Sequence, residues 1–400
     1  MLEVPAKKFR ISILWRVQIP DSTDRPDQGV KLNTLTRQSF RRLPPITALL
    51  LGSAALAQHT QTIRVGDLNS SYNRNIWWMS IAVIVMAILI FAGVSYALFY
   101  TVNKFREDKS TAEPKQFHGN NRLEMVLIVV PVIIVTIITI LAAHTMAIVN
   151  PTPKDALHVN ATGAKFWWAF EYPESPVQGG TGTVVNGNEL VIPAGRQIAI
   201  TTTARDVIHA FWAPNLGGQR DAIPGSKKTW QIDTDKPGVY QGNCSVLCGA
   251  SHANMRFKVV ALPKAQYDTF IAAAQAYKAP VPQTASEKNG YNIFMQGKAS
   301  AGAAACLSCH RIQGTMAAGA VGPDMSFFGS RNTLGAGIYE GQARINHIKP
   351  WIKKCVDLKP GCLMPAFEKL SDQDLGDLQA YLLSLKLPEN ASYWGKVPVR

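Results

Sequence analysis

A short stretch, Cys244 to Met255, gathers four side chains that bind soft metal ions. It contains two thiols four residues apart, an imidazole four residues later and a thioether three beyond that. Thiolate, imidazole and thioether groups are ligands that suit copper. In a loop between two strands both thiolates can enter one pocket and bridge two copper ions, while His252 and Met255 each cap one ion. A further imidazole, that of His209, lies at the end of an earlier strand-like run.

The alternative interpretation of this stretch, hereafter the copper loop, is a structural disulfide between Cys244 and Cys248. His252 and Met255 would then be bystanders. We favour the copper site, because four ligand residues at this spacing and a separate D-V-I-H run rarely coincide by chance. Each of these residues alone would be weak evidence.

These residues resemble the dinuclear copper (CuA) site of subunit II of haem–copper cytochrome c oxidases. The likeness extends to the D-A-I-P-G run at 221–225 and to the aromatic run at 166–172. In that family both sulfurs bridge both coppers, each His binds one copper, the Met binds one, and a backbone carbonyl between the cysteines binds the other. The resemblance therefore implies a set of six copper ligands: His209, Cys244, the carbonyl of Val246, Cys248, His252 and Met255.

Two positions near the copper loop depart from the family pattern, and Leu127 and Ile128 replace the Trp and Thr that usually follow Glu124. Val246 stands where the family usually has a Glu whose carboxylate helps to hold a magnesium ion at the border with subunit I. The copper-binding carbonyl survives this change, whereas the magnesium contact loses its carboxylate. Phe166 stands where the family has a Trp through which cytochrome c delivers electrons. A Phe lacks the indole, which argues against electron entry here, and we expect Trp168 to support the copper pocket.

Cys306, Cys309 and His310 form a second cofactor motif with the spacing C-x-x-C-H. This is the c-type haem attachment pattern, in which two thiols add to the vinyl groups and the adjacent His becomes an axial iron ligand. The alternative is a redox dithiol of the thioredoxin type. The His and the lack of a β-α-β pattern disfavour that alternative.

Met364 is the predicted second axial ligand. Its Met-Pro pair resembles the sixth-ligand segment of small class I cytochromes c, as Gly322 and Pro323 resemble their mid-domain turn. Met/His ligation raises the haem potential relative to two histidines, which suits an electron donor to copper. The competing ligands are Met316, Met325 and His347.

The remaining cysteines, Cys355 and Cys362, bracket a D-L-K-P-G turn just before Met364. Outside the cytoplasm they can form a disulfide that stiffens this loop, and free thiols are the alternative. The last helix is predicted to begin at Ser371 with a capping pattern. In class I cytochromes c this helix crosses the first one near positions like Gly290 and Phe294.

The composition indicates a membrane protein with large parts outside the bilayer. A chain of 400 residues is long enough for two or three domains, and 47% of its residues are hydrophobic. The net charge of +14 does not predict nucleic-acid binding, because part of it lies before residue 58 and no basic helix carries interleaved aromatic residues. All six cysteines follow residue 243.

The N-terminal part contains a predicted export signal. Residues 1–29 show no periodicity, and we expect them to be untranslated or processed, with a start at Val30. Basic residues then precede an apolar run that ends in A-L-A, which predicts a signal peptide cleaved after Ala57. A short membrane anchor is the alternative, but this run is too short to span.

Two longer apolar stretches, at about 77–102 and 123–149, predict a transmembrane hairpin within residues 58–150, since each reaches the ~20 residues that cross a bilayer. The connection between them is rich in Lys and Arg. It is therefore predicted to be cytoplasmic, with everything after Val149 outside. Glu124 lies at the cytoplasmic start of the second stretch. In the family a Glu at this position sits at the mouth of a proton pathway into subunit I.

Residues 151–277 contain short β-rich runs separated by turn residues, which predict an antiparallel β-sandwich or barrel. The resemblance implies a cupredoxin-like Greek-key β-sandwich with the copper loop between its last two strands. Residues 278–286 are Pro-rich and predict a linker with some stiffness. Residues 287–400 are predicted to be a small all-α cytochrome c domain.

The chain is therefore predicted to be a multidomain membrane protein, an electron-transfer subunit of a bacterial inner-membrane oxidase. Electrons would pass from a donor such as a cytochrome c to the covalently bound haem c, then to the dinuclear copper, then to subunit I, where oxygen is reduced. Subunit I and subunit III are the expected partners. The alternatives are the CuA-bearing subunit of a nitric oxide reductase and a stand-alone membrane-anchored redox carrier.

Overall fold

The computed structural model describes residues 68–106, 119–151, 153–180 and 182–400. The predicted signal peptide, its cleavage after Ala57 and the start at Val30 lie outside the described residues. Most of the basic connection between the two predicted spans also lies outside them.

Two long apolar helices begin the described part of the chain, α1 (Ser71–Lys104) and α2 (Asn121–Val149). Both are long and apolar enough to cross a membrane, and their most apolar stretches bury nothing inside the protein. Such a surface is unfavourable in water and fits a lipid environment. α1 begins earlier than the predicted span, because the Ser70 hydroxyl caps it and the Ser71 amide donates to the Asp233 carboxylate at 3.0 Å.

Ten strands follow and form a β-sandwich of two five-stranded sheets. The strands are β1 (Leu157–Ala164), β2 (Trp167–Pro176), β3 (Thr183–Gly187), β4 (Glu189–Pro193), β5 (Ile198–Ala204), β6 (His209–Trp212), β7 (Gln219–Ala222), β8 (Lys228–Ile232), β9 (Gly238–Cys244) and β10 (Arg256–Leu262). One sheet has the order β3-β2-β1-β5-β8 and the other β4-β10-β9-β6-β7. The predicted β-sandwich is confirmed.

The β-sandwich differs from the sequence prediction in two respects. The strands β3 and β7 show no sequence pattern that indicates a strand, and His209 begins β6 instead of ending a strand-like run. Two strand pairs, β1 with β5 and β4 with β10, run parallel rather than antiparallel. A chain that crosses between the two sheets can return to the same sheet in the same direction, so a sandwich need not be wholly antiparallel.

Aromatic side chains fill the β-sandwich beneath the copper loop. Four of these side chains are fully buried: Trp168, Phe170, Phe211 and Phe257. Most of their rings meet edge to face, as Trp168 and Phe257 do with centroids 5.7 Å apart. The rings of Phe211 and Phe257 are tilted, with centroids 4.5 Å apart. Each such ring buries a large apolar area. The aromatic run that the sequence singled out therefore forms the support of the copper loop.

The helical region, residues 284–386, contains α4 (Ala285–Gln296), α5 (Gly341–Leu358) and α6 (Asp372–Ser384), with a small ribbon of β11 (Thr333–Leu334) and β12 (Tyr339–Glu340). A further helix, α3 (Lys264–Gln275), precedes it. Capping boxes begin α4 at Thr284 and α6 at Ser371. The predicted crossing of the first and last helices is confirmed: a Cβ on Gly290 would lie 2.1 Å from the Asp377 carbonyl oxygen.

The helical region is packed firmly against the β-sandwich. The predicted linker is not a free tether, because the Gln313 side chain donates to the carbonyls of Ala274 and Tyr277 at its start. After α6 the chain returns to the β-sandwich, where Leu387 and Tyr393 join its core. The predicted cytochrome c domain of 287–400 therefore differs from the structure in its last residues, which belong to the β-sandwich.

Candidate functional site

The copper loop closes one end of the β-sandwich and brings most of the predicted ligands together. Cys244 ends β9, and His209 begins the neighbouring β6. One nitrogen of His209 and the sulfurs of Cys244 and Cys248 all lie within 4.8 Å of one another. The two sulfurs are 3.9 Å apart, which excludes a disulfide between them in this structure.

The other predicted copper ligands surround Cys248 and Cys244. The Cys248 sulfur lies 3.6 Å from His252 Nδ1 and 3.8 Å from the Met255 sulfur. The Cys244 sulfur lies 3.3 Å from the carbonyl oxygen of Val246. The structure thus places all six predicted ligand residues around one small volume.

His209 is oriented for metal binding by Asp206. Its Nε2 lies 2.8 Å from the Asp206 carboxylate, while its Nδ1 is buried and makes no hydrogen bond of normal geometry with the described residues. A buried unpaired nitrogen is costly unless a ligand occupies it. A ligating His usually donates its second ring N–H to a carboxylate or carbonyl. The residues present therefore fit a bound copper ion.

The two thiols differ in acidity. Burial opposes ionisation of Cys244, but contacts with His209 and with the backbone of Ala210 outweigh it and lower its pKa to about 7. Burial, followed by the negative charge of Cys244, raises the pKa of Cys248 to about 12. Without metal, only the first thiol ionises readily near neutral pH. Binding of a cation supplies the driving force for the second.

Trp168 and Phe166 occupy different positions relative to the copper loop. Trp168 is fully buried and its ring centroid lies 6.1 Å from that of His209, so it supports the copper pocket from below. Phe166 is 5% exposed and lies against Gly249 of the copper loop. It also lines a cavity that it shares with Cys306, Cys309 and His310.

A cavity of about 830 Å³ lies between the helical region and the β-sandwich. This volume is at the upper end of the range for cofactor sites. The walls are mostly apolar and include residues of both parts of the chain. Cys306, Cys309, His310 and Met364 line it from the helical region, and Phe166, Trp167 and Asp206 line it from the β-sandwich.

His310 is held by its backbone surroundings. Its Nδ1 donates to the Pro323 carbonyl at 2.8 Å, and burial lowers the pKa of the ring and so favours the neutral form. A Cβ on Gly322 would lie only 2.4 Å from the ring. The fixed Nδ1 leaves Nε2 for an iron ion, as expected of an axial ligand. The apolar cavity, the two unpaired thiols Cys306 and Cys309 and this ring fit a covalently bound haem.

The four candidate axial ligands differ in whether they line the cavity. Met364 and Met325 both line the cavity, whereas Met316 and His347 do not. Met316 is 80% exposed, and the His347 ring stacks on Tyr339. The Met325 amide donates to the carbonyl of Arg311, the residue after His310, so the Met325 backbone lies beside the His310 segment.

Comparison with known proteins agrees with this geometry. Residues 59–144 match the model of the cytochrome c oxidase subunit II transmembrane domain, 157–262 that of its periplasmic domain, and 294–386 that of cytochrome c. The cytochrome c oxidase subunit 2 of Alkalihalophilus pseudofirmus is 34% identical over 319 residues, which cover 78% of this chain and 87% of that protein. The chain belongs to the cytochrome c oxidase subunit II family.

A second relative agrees with this assignment. The cytochrome c oxidase subunit 2 of Bacillus sp. strain PS3 is 31% identical and covers 70% of this chain and 79% of its own length. The crystal structure of the periplasmic domain of the Bradyrhizobium japonicum cytochrome oxidase subunit II is 29% identical and covers 31% of this chain and 97% of its own, with a TM-score of 0.29. The predicted family is confirmed, and the chain is a subunit of an oxidoreductase complex. As in the family, its C-terminal part lies outside the membrane.

Glu124, the predicted proton-entry residue of this subunit II chain, lies in the first turn of α2. Its side chain is exposed, and its carboxylate accepts the Asn120 amide at 3.3 Å. A carboxylate in the first turn interacts favourably with the positive N-terminal end of the helix dipole. The structure therefore gives Glu124 a local capping contact at the predicted cytoplasmic end of the hairpin.

The structure joins Cys355 and Cys362 by a disulfide. Residues 355–362, hereafter the disulfide loop, comprise the last turn of α5 and the residues that follow it, and end two residues before Met364. Cys355 is 1% exposed.

Two residues that had no predicted role line the cavity, Asp206 and Lys359. Asp206 is the orienting partner of His209, and the D-V-I-H run that revealed His209 contained this signal. Outside the two sites, the buried Glu189 also joins the β-sandwich to the helical region. The partners of Glu189 and Lys359 are distant along the chain, so no local pattern could have indicated them.

Proposed function

We propose that this chain passes electrons from a covalently bound haem c, held in the cavity, to a dinuclear copper centre on the copper loop, and from there to subunit I. Subunit I then reduces oxygen to water. The observation that carries this proposal is the shared wall between the two sites. Asp206 lines the haem cavity and also holds the His209 ring whose other nitrogen faces the two thiols.

The residues that would hold copper are His209, Cys244, Cys248, His252, Met255 and the Val246 carbonyl. When bound, a copper pair that shares thiolates supplies a site where one electron is spread over two ions, so that little geometry changes on reduction. Close-packed aromatic rings beneath the loop favour this, because Trp168 packs against His209 and Phe257 and so limits movement of the His209 ring.

Cys306, Cys309 and His310 would attach and ligate the haem, and Met364 is the proposed second axial ligand. Met325 is the weaker candidate, because its backbone is hydrogen-bonded beside His310 and its sulfur would have to hold the iron together with that neighbouring ring. When bound, a haem with Met and His ligands supplies a one-electron carrier of raised potential. The Pro323 carbonyl fixes the His310 ring in the tautomer that this ligation needs.

The remaining proposals concern location and partners. The hairpin of residues 58–150 would anchor the subunit in a bacterial inner membrane, with residues 151–277 forming the copper domain on the outer side and residues 278–286 connecting it to the helical region. A cytochrome c is the proposed donor, and subunits I and III are the proposed partners. Glu124 is proposed at the proton entry. Val246 brings no carboxylate toward a magnesium ion.

The test is a spectroscopic and kinetic study of the complex purified from membranes. Optical and EPR spectra should show a low-spin haem c and mixed-valence copper in the same complex, and rapid reduction of the haem should be followed by reduction of copper and consumption of oxygen. The variant Cys248→Ser should keep the haem spectrum and lose the mixed-valence copper signal. Copper that stays oxidised while haem c turns over, or consumption of nitric oxide in place of oxygen, would overturn the proposal.

A further inference from the structure

The disulfide loop lies directly on the copper loop. Three consecutive residues of the disulfide loop, Lys359, Pro360 and Gly361, each contact the β-sandwich at or beside the copper ligands. The disulfide loop is thus the place where the helical region meets the copper loop itself.

Lys359 is the anchor of this contact. Its side chain is 4% exposed, and its amino group donates to the carbonyl oxygens of Phe166 at 2.6 Å and Gly335 at 3.0 Å. The first carbonyl belongs to the β-sandwich and the second to the helical region. A buried polar group is unfavourable unless it is hydrogen-bonded, so both carbonyls stabilise this position of the side chain.

Pro360 and Gly361 make the remaining contacts. The Ser251 hydroxyl, in the copper loop and 1% exposed, donates to the Pro360 carbonyl at 2.5 Å. Gly361 has φ +76°, and a Cβ there would lie 3.0 Å from the Phe166 ring and 3.3 Å from Ala250. Only Gly combines this backbone conformation with so close an approach.

The other end of the disulfide loop connects to the haem site. The Cys355 sulfur lies 3.6 Å from the carbonyl oxygen of Met364, and Cys362 lines the haem cavity only two residues before Met364. The Phe166 ring, which contacts Gly361 and lies beside Gly249 of the copper loop, also lines that cavity. A continuous line of packed residues therefore runs from Met364 through the disulfide loop and Phe166 to the residue after Cys248.

We propose that the disulfide loop is the bridge that fixes the haem relative to the copper centre, and that Lys359 is the positioning residue that holds it there. This inference rests on the proposed function. In the step concerned, one electron leaves the haem, which is oxidised, and enters the copper pair, which is reduced, with no bond made or broken. The role of Lys359 is to hold the spacing and not to carry the charge.

The experiment uses the full complex with both cofactors. Lys359→Met keeps the length of the side chain and removes the donors, and Lys369→Met, at an exposed lysine of the same region, is the control. The haem is reduced rapidly, and transfer to copper is followed optically. Enhancement of copper EPR relaxation by the oxidised haem reports the distance between the two centres. Ser251→Ala removes the hydrogen bond from the copper loop to the Pro360 carbonyl. It replaces Lys359→Met as the test variant if that variant is poorly folded.

Lys359→Met is expected to slow haem-to-copper transfer about tenfold or more, to weaken the EPR relaxation effect and to leave both individual spectra unchanged. Cys355→Ala with Cys362→Ala should act in the same direction, and Ser251→Ala more weakly, while Lys369→Met changes nothing. If both the Lys359 variant and the double-cysteine variant transfer electrons from haem to copper as fast as the parent, and show the same copper EPR relaxation, the inference is overturned. The proposed function would then still stand. A parental complex whose haem never reduces copper would overturn both.

Discussion

The carboxylate of Asp206 lies 2.8 Å from Nε2 of His209 and at the same time lines the haem cavity. One side chain therefore orients a proposed copper ligand and borders the proposed haem. Its own position is fixed, because it also accepts the Lys165 amide at 2.7 Å.

Asp206→Ala is expected to weaken copper binding by about 10- to 100-fold, the usual effect of removing a residue that orients a metal-binding His. The physical reason is that the His209 ring loses the acceptor that fixes its tautomer and direction. The measurement is a competition titration with a copper chelator. Asp268→Asn, at an exposed residue paired with Lys264 on α3, is the control and should bind copper as the parent does. Undiminished affinity in Asp206→Ala would remove this residue from the copper site.

Met364 and Met325 can be distinguished by matched substitutions. Met364→Leu keeps the side-chain volume and is expected to lower the haem midpoint potential and to abolish the near-infrared charge-transfer band of Met-ligated ferric haem. Met325→Leu should leave both unchanged. The measurements are a redox titration and an absorption spectrum of the oxidised complex. The reverse pattern would assign the axial ligand to Met325.

The candidate residues of both sites could be identified from sequence because each motif is local. Cys244, Cys248, His252 and Met255 lie within one loop, and Cys306 and His310 within one turn, so ligand types and spacing are visible in the sequence alone. His209 was found only because a short D-V-I-H run accompanies it. The sequence places His209 at the end of a strand-like run, whereas the four-residue strand β6 begins at this residue. So short a strand shows no alternation that fixes its ends.

The contacts between the β-sandwich and the helical region could not be predicted in this way. Glu189 begins β4, where a charged residue ordinarily faces water, yet it is fully buried. Its partners lie 143 to 205 positions further along the chain. The same holds for Lys359 and Phe166, which are separated by 193 positions. These contacts form only when the folded β-sandwich and the folded helical region pack against each other. No local sequence pattern in either region indicates which residues then meet.

Glu189 fastens both the β11 segment and the C-terminal segment to the β-sandwich. One carboxylate oxygen accepts from the Asn332 and Thr333 amides and the Thr333 hydroxyl, at 2.7–2.9 Å. The other accepts from the Tyr393 hydroxyl at 2.7 Å and the Trp394 indole at 2.6 Å. Glu189→Ala leaves these buried donors unpaired, so it should lower the free energy of unfolding by about 3 kcal/mol or more.

Thermal or denaturant unfolding of the membrane-extracted subunit measures the Glu189 effect. Glu189→Gln should fall between the parent and Glu189→Ala, because an amide can accept some of the same bonds but presents its own donors to the others. Glu174→Ala, at an exposed residue of β2, is the control. Equal stability of the Glu189 and Glu174 variants would contradict this role.

Gly290 is required where α4 crosses α6. A Cβ at this position would lie 2.1 Å from the Asp377 carbonyl oxygen and 2.9 Å from Tyr381 Cβ, so Gly290→Ala forces the helices apart and should cost about 1–3 kcal/mol. Gly376→Ala is a matched control in α6, since its Cβ would meet nothing within 4 Å, and it should stabilise by about 0.5–1 kcal/mol. Unfolding of the helical region, followed by haem absorbance, measures both. Two effects of the same sign would refute the packing argument.

Asp374 makes the stability of the helical region depend on pH. Burial disfavours its charge, but the Lys298 ammonium, at 2.6 Å, and the Ser371 cap outweigh burial and hold its pKa below the usual 3.8. At pH values near 3.8 the folded state therefore binds fewer protons at Asp374 than the unfolded state does. The stabilisation is fully present above the unfolded pKa and is lost as pH falls through the lower, folded pKa.

Asp374→Asn should consequently lower the free energy of unfolding by about 1–2 kcal/mol at neutral pH, through the weakened cap and the lost ion pair. The difference from the parent should shrink once the pH falls below the usual Asp value. Asp372→Asn, at a neighbouring side chain that is 89% exposed, should show little effect at any pH. The measurement is denaturant unfolding across an acid series with haem absorbance as the probe. A destabilisation by Asp374→Asn that persists unchanged into acid would show that the loss is steric and that the Asp374 charge contributes nothing.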